Sequence, residues 1–189
     1  MVGSLWWTLR FPAHDLGRLP RFRPGNGARQ AFFRVDPDGP TITLPRRYRT
    51  RGVLLHELAH WALADERELA AHGATFARLL LDATIAFEGD AAATALAAAY
   101  REHAVRMGAP PRPGPDGVLR YGWDERLSRA RGQRVQISYG RPGEPDAHVY
   151  GALEGMAGRG RSRSVRIRTD AAEPLLVPLA AVWDVRRAA

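Results

Sequence analysis

The chain of 189 residues contains no cysteine and no lysine. Without cysteine it has neither a disulfide framework nor a thiolate zinc site, so any metal must be bound by histidines and carboxylates. No apolar run reaches the ~18 residues that a membrane-spanning helix needs, and no basic segment followed by an apolar run marks a leader. We therefore expect a cytoplasmic protein without membrane contact.

The basic residues are all arginine. There are 28 of them against 20 acidic residues, which gives a formal net charge of +8. Arginine side chains match phosphate and carboxylate geometry, so this excess suits an anionic partner such as nucleic acid. The alternative is that the arginines reflect a GC-rich genome and that the charge only keeps the protein in solution. Charge alone leaves nucleic-acid binding as a hypothesis.

The composition predicts an α+β protein with two domains. A segment rich in proline and glycine, residues 108–117, interrupts every periodic pattern and is interpreted as a linker. It separates a first domain, residues 1–107, from a second domain, residues 118–189. Short β-type runs divided by turns fill the second domain, and this pattern is typical of a small all-β barrel.

The first domain is predicted to hold a β-hairpin followed by three helices. Residues 31–44 alternate around an Asp-Pro-Asp-Gly turn, which is the pattern of a hairpin. Helices are predicted over residues 50–64, 73–87 and 91–107. The second hairpin strand, residues 41–44, stands just before the first helix, and we expect it to be an edge to which an extended peptide adds as a strand.

The first of these helices carries the sequence His56-Glu57-Leu58-Ala59-His60, an HExxH motif. Spacing by four residues places both imidazoles on one helix face, from which they can bind one zinc ion. Glu57 is turned about 100° from His56 and can act as general base on a zinc-bound water. The alternative, a structural histidine pair, does not explain why three polar groups interrupt an apolar helix.

A catalytic zinc site needs a third protein ligand and an open position. His72, at the start of the second helix, is the favoured candidate, because a turn between the helices returns it to the metal and Phe76 can pack below it. Glu66, Glu68 and Glu88 remain alternatives. The other histidines show no ligand spacing and are interpreted as ordinary: His14, His103 and His148.

The HELAH segment followed by Ala71-His72-Gly73 and Phe76 resembles the SprT-like zinc metallopeptidases. With Leu44-Pro45 through Arg49 before the motif helix, residues 30–107 resemble more closely a group of actinobacterial HExxH metallohydrolases. The resemblance implies a zincin-like domain with zinc ligands His56, His60 and His72 and the catalytic residue Glu57. It also implies proteolysis near DNA as a possible setting for the activity.

The second domain resembles SH3-like or Sm-like small barrels in its last two β-type runs around a short turn. Residues 118–189 hold 13 arginines against 8 acidic residues. Five of the arginines crowd one segment, where they are candidates for phosphate contacts: Arg159, Arg161, Arg163, Arg166 and Arg168. The alternative for this segment is a solvated strand face and loop.

The sequence thus predicts a zinc-dependent hydrolase with a protein or peptide substrate, in which Glu57 assists attack of zinc-bound water on a peptide bond. Recruitment to nucleic acid by the second domain is an additional hypothesis. Two alternatives remain: hydrolysis of another amide substrate, and a non-catalytic zinc-containing module that binds nucleic acid or protein.

Overall fold

The structure is a computed structural model that describes residues 19–27, 29–64, 66, 69–140, 145 and 147–188. The chain divides into two compact units, Met1–Gly108 and Ala109–Ala189. Both combine helices with sheets, so the α+β class predicted from the sequence is confirmed. His14 and Glu68 lie outside the described residues.

A three-stranded sheet forms one layer of the first unit. Its strands are β1 (Arg21–Pro24), β2 (Phe32–Asp36) and β3 (Gly39–Leu44), in the order β1-β3-β2. β2 and β3 form an antiparallel hairpin, whereas β1 runs parallel to β3. Ile42 of the central strand is fully buried, so β3 supplies the sheet's main contribution to the core.

Three helices form the second layer: α1 (Arg51–Ala62), α2 (Ala74–Glu88) and α3 (Asp90–Glu102). α1 packs against β2, β3 and α2, and α2 packs against α3. The Thr50 hydroxyl begins α1 by accepting a hydrogen bond from the backbone N–H of Val53 at 3.3 Å. The core of this layer contains Leu55, Ala59, Trp61, Phe76, Leu79 and Ala83.

The third helix is shorter than predicted and ends at Glu102 rather than at residue 107. Ala104 adopts a left-handed conformation with φ of 51°. The N–H of Val105 then reaches back to the carbonyl of Tyr100 at 2.8 Å, which is the bond of a Schellman termination. This ending normally has glycine at the left-handed position, so the alanine-rich sequence gives no sign of it.

The predicted linker is part of the second unit from Ala109 onward. Its strand β4 (Arg112–Pro113) pairs antiparallel with β5 (Leu119–Arg120), which follows the linker. The Arg112 guanidinium lies 3.6 Å from the centre of the Trp123 ring and donates hydrogen bonds to two backbone carbonyls of residues 179–182. A proline-rich composition does not reveal such contacts, because they depend on residues far along the chain.

The second unit is built on a five-stranded antiparallel sheet with the order β10-β6-β7-β8-β9. Its strands are β6 (Arg134–Tyr139), β7 (Ala147–Ala157), β8 (Ser164–Thr169), β9 (Pro174–Pro178) and β10 (Val182–Arg187). A single turn of 3-10 helix, Leu179–Ala181, connects the last two. The fully buried side chains of this sheet include Val135, Ile137, Val165, Ile167 and Val182.

The second unit also contains a helix that the sequence analysis missed, α4 (Trp123–Arg129). Seven residues are too few for a helical period to stand out from neighbouring turns. Its buried Arg126 forms an ion pair with Asp184 of β10 at 2.7 Å, which attaches the helix to the sheet. Among the described residues, none of the helices has the length and apolar character required to cross a membrane.

Candidate metal centre

Three histidines meet between α1 and the start of α2. His56 and His60 lie one turn apart on α1, and His72 stands two residues before α2. Their Nε2 atoms lie 3.2 Å apart for His56 and His60, 3.0 Å for His60 and His72, and 3.3 Å for His56 and His72. The three side chains predicted as ligands are therefore close enough to bind one metal ion.

The spacing of these nitrogens fits a tetrahedral ion. Two nitrogens bonded at 2.0–2.1 Å in a tetrahedral shell are about 3.3 Å apart, close to the distances of 3.0–3.3 Å found here. Each imidazole Nε2 offers one hydrogen or one lone pair, so three of them cannot satisfy one another by hydrogen bonding. Nitrogen lone pairs directed at one cation would explain the short Nε2–Nε2 distances better than hydrogen bonds among the three rings.

Phe76 supports all three imidazoles. Its ring centre lies 5.0 Å from that of His56, 4.6 Å from that of His60 and 5.0 Å from that of His72. Phe76 is itself only 4% exposed, on the face of α2 that packs against α1. Because a buried ring has little freedom to move, it limits the orientations that the three histidines can adopt.

The electrostatics of the centre keep its two half-buried imidazoles, His56 and His60, neutral. Burial, followed by repulsion from His56 and His72, lowers the pKa of His60 to about 4. Burial and the neighbouring His72 also lower the pKa of His56. Both rings are therefore uncharged at neutral pH, the form in which an imidazole binds a metal.

Glu57 lies beside the centre but outside the group of ligands. It is only 5% exposed as a whole residue, and it lines the same cleft as the three histidines. Burial raises the pKa of its carboxyl group, and the backbone N–H of Phe33 acts in the opposite direction. The contact with β2 was not predicted, because it joins segments that are distant in sequence.

The cleft at the centre has a volume of about 600 Å³. That size falls within the range of about 300–1,000 Å³ usual for ligand sites. One wall comes from β2 and the residues before it, 30–33, and the other from the end of α1 and residues 69–72. An extended substrate could therefore lie between an edge strand and the motif helix.

The prediction that residues 41–44 form the edge strand is wrong. β3 is the central strand of the sheet, with β1 on one side and β2 on the other, so its backbone groups are already paired. Among the described strands β2 lies at an edge of the sheet, and it is β2 that lines the cleft. Sequence spacing could not decide this, because the parallel pairing of β1 with β3 is a long-range contact.

The alternative third ligands are not part of the cluster within the described residues. The only group of that kind there consists of His56, His60 and His72. Glu66 lines the cleft but does not belong to this group. Glu88 stands at the far end of α2, about 21 Å from its first residue at a rise of about 1.5 Å per residue.

The five arginines predicted to contact nucleic acid do not form one free basic row. Arg166 and Arg168 project from the exposed face of β8, but Arg168 is paired with Glu154 of β7 at 2.6 Å. Arg163 lines a separate cavity in the second unit. The remaining candidates, exposed beside the 3-10 turn before β8, are Arg159 and Arg161.

The other described histidines lie apart from the metal-binding cluster. His103 is exposed at the end of α3. The Nδ1 atom of His148 is hydrogen-bonded to the hydroxyl of Ser138 at 2.9 Å and to the side-chain amide of Gln136 at 3.1 Å. His148 therefore contributes to the face of the sheet in the second unit.

No protein-family model matches the chain, and no curated protein or solved structure matches it at a significant level. The resemblance to SprT-like metallopeptidases stays a prediction. Any functional inference therefore rests on the centre itself.

Proposed function

We propose that the protein is a zinc-dependent hydrolase, and within that class a metallopeptidase. The observation that carries the proposal is the convergence of three histidine Nε2 atoms, 3.0–3.3 Å apart, in a cleft that also contains a buried glutamate. His56, His60 and His72 would hold the metal, and Glu57 would be the general base.

Zinc is the metal that this donor set suits best. Three imidazoles without a carboxylate or thiolate favour zinc among the common protein metals when the geometry is tetrahedral. Three protein ligands also leave one position open, which is the arrangement of catalytic rather than structural zinc. A purely structural site would have no need of Glu57 in the same cleft.

A bound zinc ion supplies a Lewis acid that acidifies a water molecule and polarises a carbonyl oxygen. Glu57 accepts a proton from the attacking water and returns it to the leaving amine, so that one carboxyl group serves both transfers. Helix α1 carries Glu57 together with His56 and His60, so the proton acceptor and two of the three proposed ligands are held by one rigid element. The contact with Phe33 fixes the carboxylate from the opposite wall.

The edge strand favours a peptide as the substrate. β2 has one side paired with β3, while its other side faces no strand within the described residues. An extended peptide can pair with such an edge through its own backbone groups. A substrate bound this way would place a peptide bond across the cleft lined by β2 and the histidines.

We also propose a zincin-like fold for the first unit and a small SH3-like barrel for the second. A zincin-like first unit is supported by an antiparallel edge strand beside a helix that carries HExxH. A small SH3-like barrel is supported by five antiparallel strands and by the single 3-10 turn between the last two.

The proposal is tested by digestion of a peptide library with zinc-loaded protein, followed by mass spectrometry. We expect the wild type to release products and Glu57→Gln to bind zinc normally while cleavage falls by about 10²–10⁴-fold. Glu88→Gln, an identical change at an exposed site far along α2, is the control and should cleave like the wild type. A Glu57→Gln variant as active as the wild type would rule out the proposed role of Glu57.

Two other outcomes would reassign the function. An occupied zinc site with no cleaved peptide in the library would favour another amide substrate. A fourth protein ligand that closes the zinc shell would indicate a non-catalytic binding module.

A further inference from the structure

The second unit contains a cavity of about 610 Å³ that is independent of the metal centre. Its inner wall is apolar and includes Trp123, Leu127 and Leu153, which are 7%, 8% and 2% exposed. Leu179 and the partly exposed Met156 extend this wall towards the opening. The cavity is therefore large enough, and apolar enough, to hold a hydrophobic side chain with part of its backbone.

Two arginines line the same cavity, Arg131 and Arg163. Both are exposed residues, and neither guanidinium has an ion-pair partner among the described residues. The Nε atom of Arg131 lies 3.8 Å from the position that a side chain on Gly155 would take, so Arg131 lies beside Gly155 on the cavity wall. Two free guanidinium groups beside an apolar wall suit a ligand that joins a carboxylate to a hydrophobic group.

Asp124 lines the cavity as well. One of its carboxylate oxygens accepts a hydrogen bond from the backbone N–H of Ala109 at 2.9 Å, whereas the other, Oδ1, is buried without a donor in the described part of the chain. An unsatisfied buried acceptor is costly, and a ligand with an N–H group would remove that cost. A phosphodiester offers only acceptors and negative charge, so Asp124 disfavours nucleic acid here.

We propose that this cavity binds the C-terminal residue of a peptide chain that ends in an apolar side chain. The terminal carboxylate pairs with Arg131 and Arg163, the amide N–H faces Asp124, and the side chain packs on Leu127 and Leu153. Such a residue combines the three features that the cavity wall requires. The inference goes beyond hydrolysis, and it does not depend on zinc.

The experiment measures binding of a fluorescein-labelled hexapeptide, Gly-Ser-Gly-Ser-Ala-Leu, to the full chain by fluorescence anisotropy. The protein carries Glu57→Gln so that the peptide stays intact. We expect the free-acid peptide to bind about tenfold or more tightly than the same peptide with a C-terminal amide. Arg131→Gln and Arg163→Gln should each remove most of that difference without changing the weak binding of the amide.

Arg161→Gln is the matched control, since Arg161 is exposed on the neighbouring turn but does not line the cavity. It should bind the free-acid peptide like the parent, and circular dichroism should show all three variants to be folded. Equal binding of acid and amide, or no binding at millimolar peptide, would overturn the proposal. So would displacement of the peptide by a ten-residue thymidine oligonucleotide whose own binding depends on Arg131.

Discussion

Phe76 packs its ring against all three histidines of the cluster. Groups that orient metal ligands commonly affect metal affinity by about 10–100-fold, although they do not touch the metal. We expect Phe76→Leu to weaken zinc binding by about tenfold, because leucine keeps the apolar volume but loses the flat surface under the imidazoles. Competition with a chromophoric chelator measures this affinity.

The control is Phe87→Leu, the same substitution near the other end of α2. It should leave zinc affinity unchanged. If both variants bind zinc as tightly as the wild type, the histidines are oriented by the backbone alone, and Phe76 is only a core residue.

Asp184 is the centre of a buried charge network in the second unit. Its carboxylate pairs at 2.7 Å both with Arg126, which is 4% exposed, and with Arg186. Removal of one partner leaves a buried guanidinium uncompensated, so Asp184→Ala should lower the free energy of unfolding by about 3–5 kcal/mol. Urea denaturation followed by circular dichroism measures the change.

Asp170→Ala is the comparison, because its ion pair with Arg134 has the same length of 2.7 Å but is about half exposed on both sides. Exposed pairs contribute little to stability, because water screens the charges and ordering the two side chains costs entropy. Equal losses for the two variants would contradict the view that burial gives the Asp184 network its importance.

The candidate ligands were predictable at the residue scale because their signal is local. Two of them, with Glu57, belong to one motif of five residues, and His72 follows twelve residues after His60. The contacts made by the predicted site residues could not be predicted in the same way. The contact of Glu57 with the Phe33 backbone, and the pairing of Arg168 with Glu154, both require strand positions that no spacing in the sequence specifies.

At the scale of elements, the end of α3 shows how a helix can stop without a visible signal. Ala104 adopts φ of 51°, a conformation that costs an L-residue with a side chain roughly 1–2 kcal/mol. Ala104→Gly should therefore raise the free energy of unfolding by about 1 kcal/mol, measured by urea denaturation.

The same substitution in the middle of α3, Ala98→Gly, should have the opposite effect on stability. Ala98 is exposed and helical, so glycine there should destabilise the protein by about 1 kcal/mol. Destabilisation by both substitutions would show that residue 104 is not left-handed in solution.

Element types were predicted better than element arrangement. The hairpin, the three helices of the first unit and the short β-type runs of the second follow from periodicity and turn residues. The order β1-β3-β2 does not, since β1 joins the sheet beside β3 from an earlier part of the chain. Because the pairing of β1 with β3 was not predicted, β3 instead of β2 was expected to be the edge strand that binds a peptide.

At the scale of the whole molecule, the net charge of +8 suggests binding to nucleic acid. The positions of the arginines in the structure weaken that interpretation. Of the five candidate arginines, Arg168 is paired and Arg163 lines a cavity, which leaves three others as candidates for phosphate contacts. Each phosphate contact to a single strand contributes about 0.7 to the slope of log affinity against log salt. If these three arginines bind a thymidine oligonucleotide, the slope of log affinity against log salt should have a magnitude of about 2 or less.

Anisotropy of a labelled oligonucleotide between low and moderate salt measures that slope. Arg166→Gln should reduce it by about 0.7, whereas Arg168→Gln should leave it nearly unchanged. A slope near 3.5 would mean that all five arginines contact phosphate and that the pair with Glu154 opens on binding.

The central claim is that three histidines hold a zinc ion beside a glutamate that is not a ligand. Elemental analysis of purified wild type, Glu57→Gln and His72→Ala tests it most directly. We predict one zinc per chain in the wild type and in Glu57→Gln, and a strongly reduced content in His72→Ala, which keeps only His56 and His60. A wild type that binds no zinc after reconstitution, or a Glu57→Gln variant that loses it, would contradict the account.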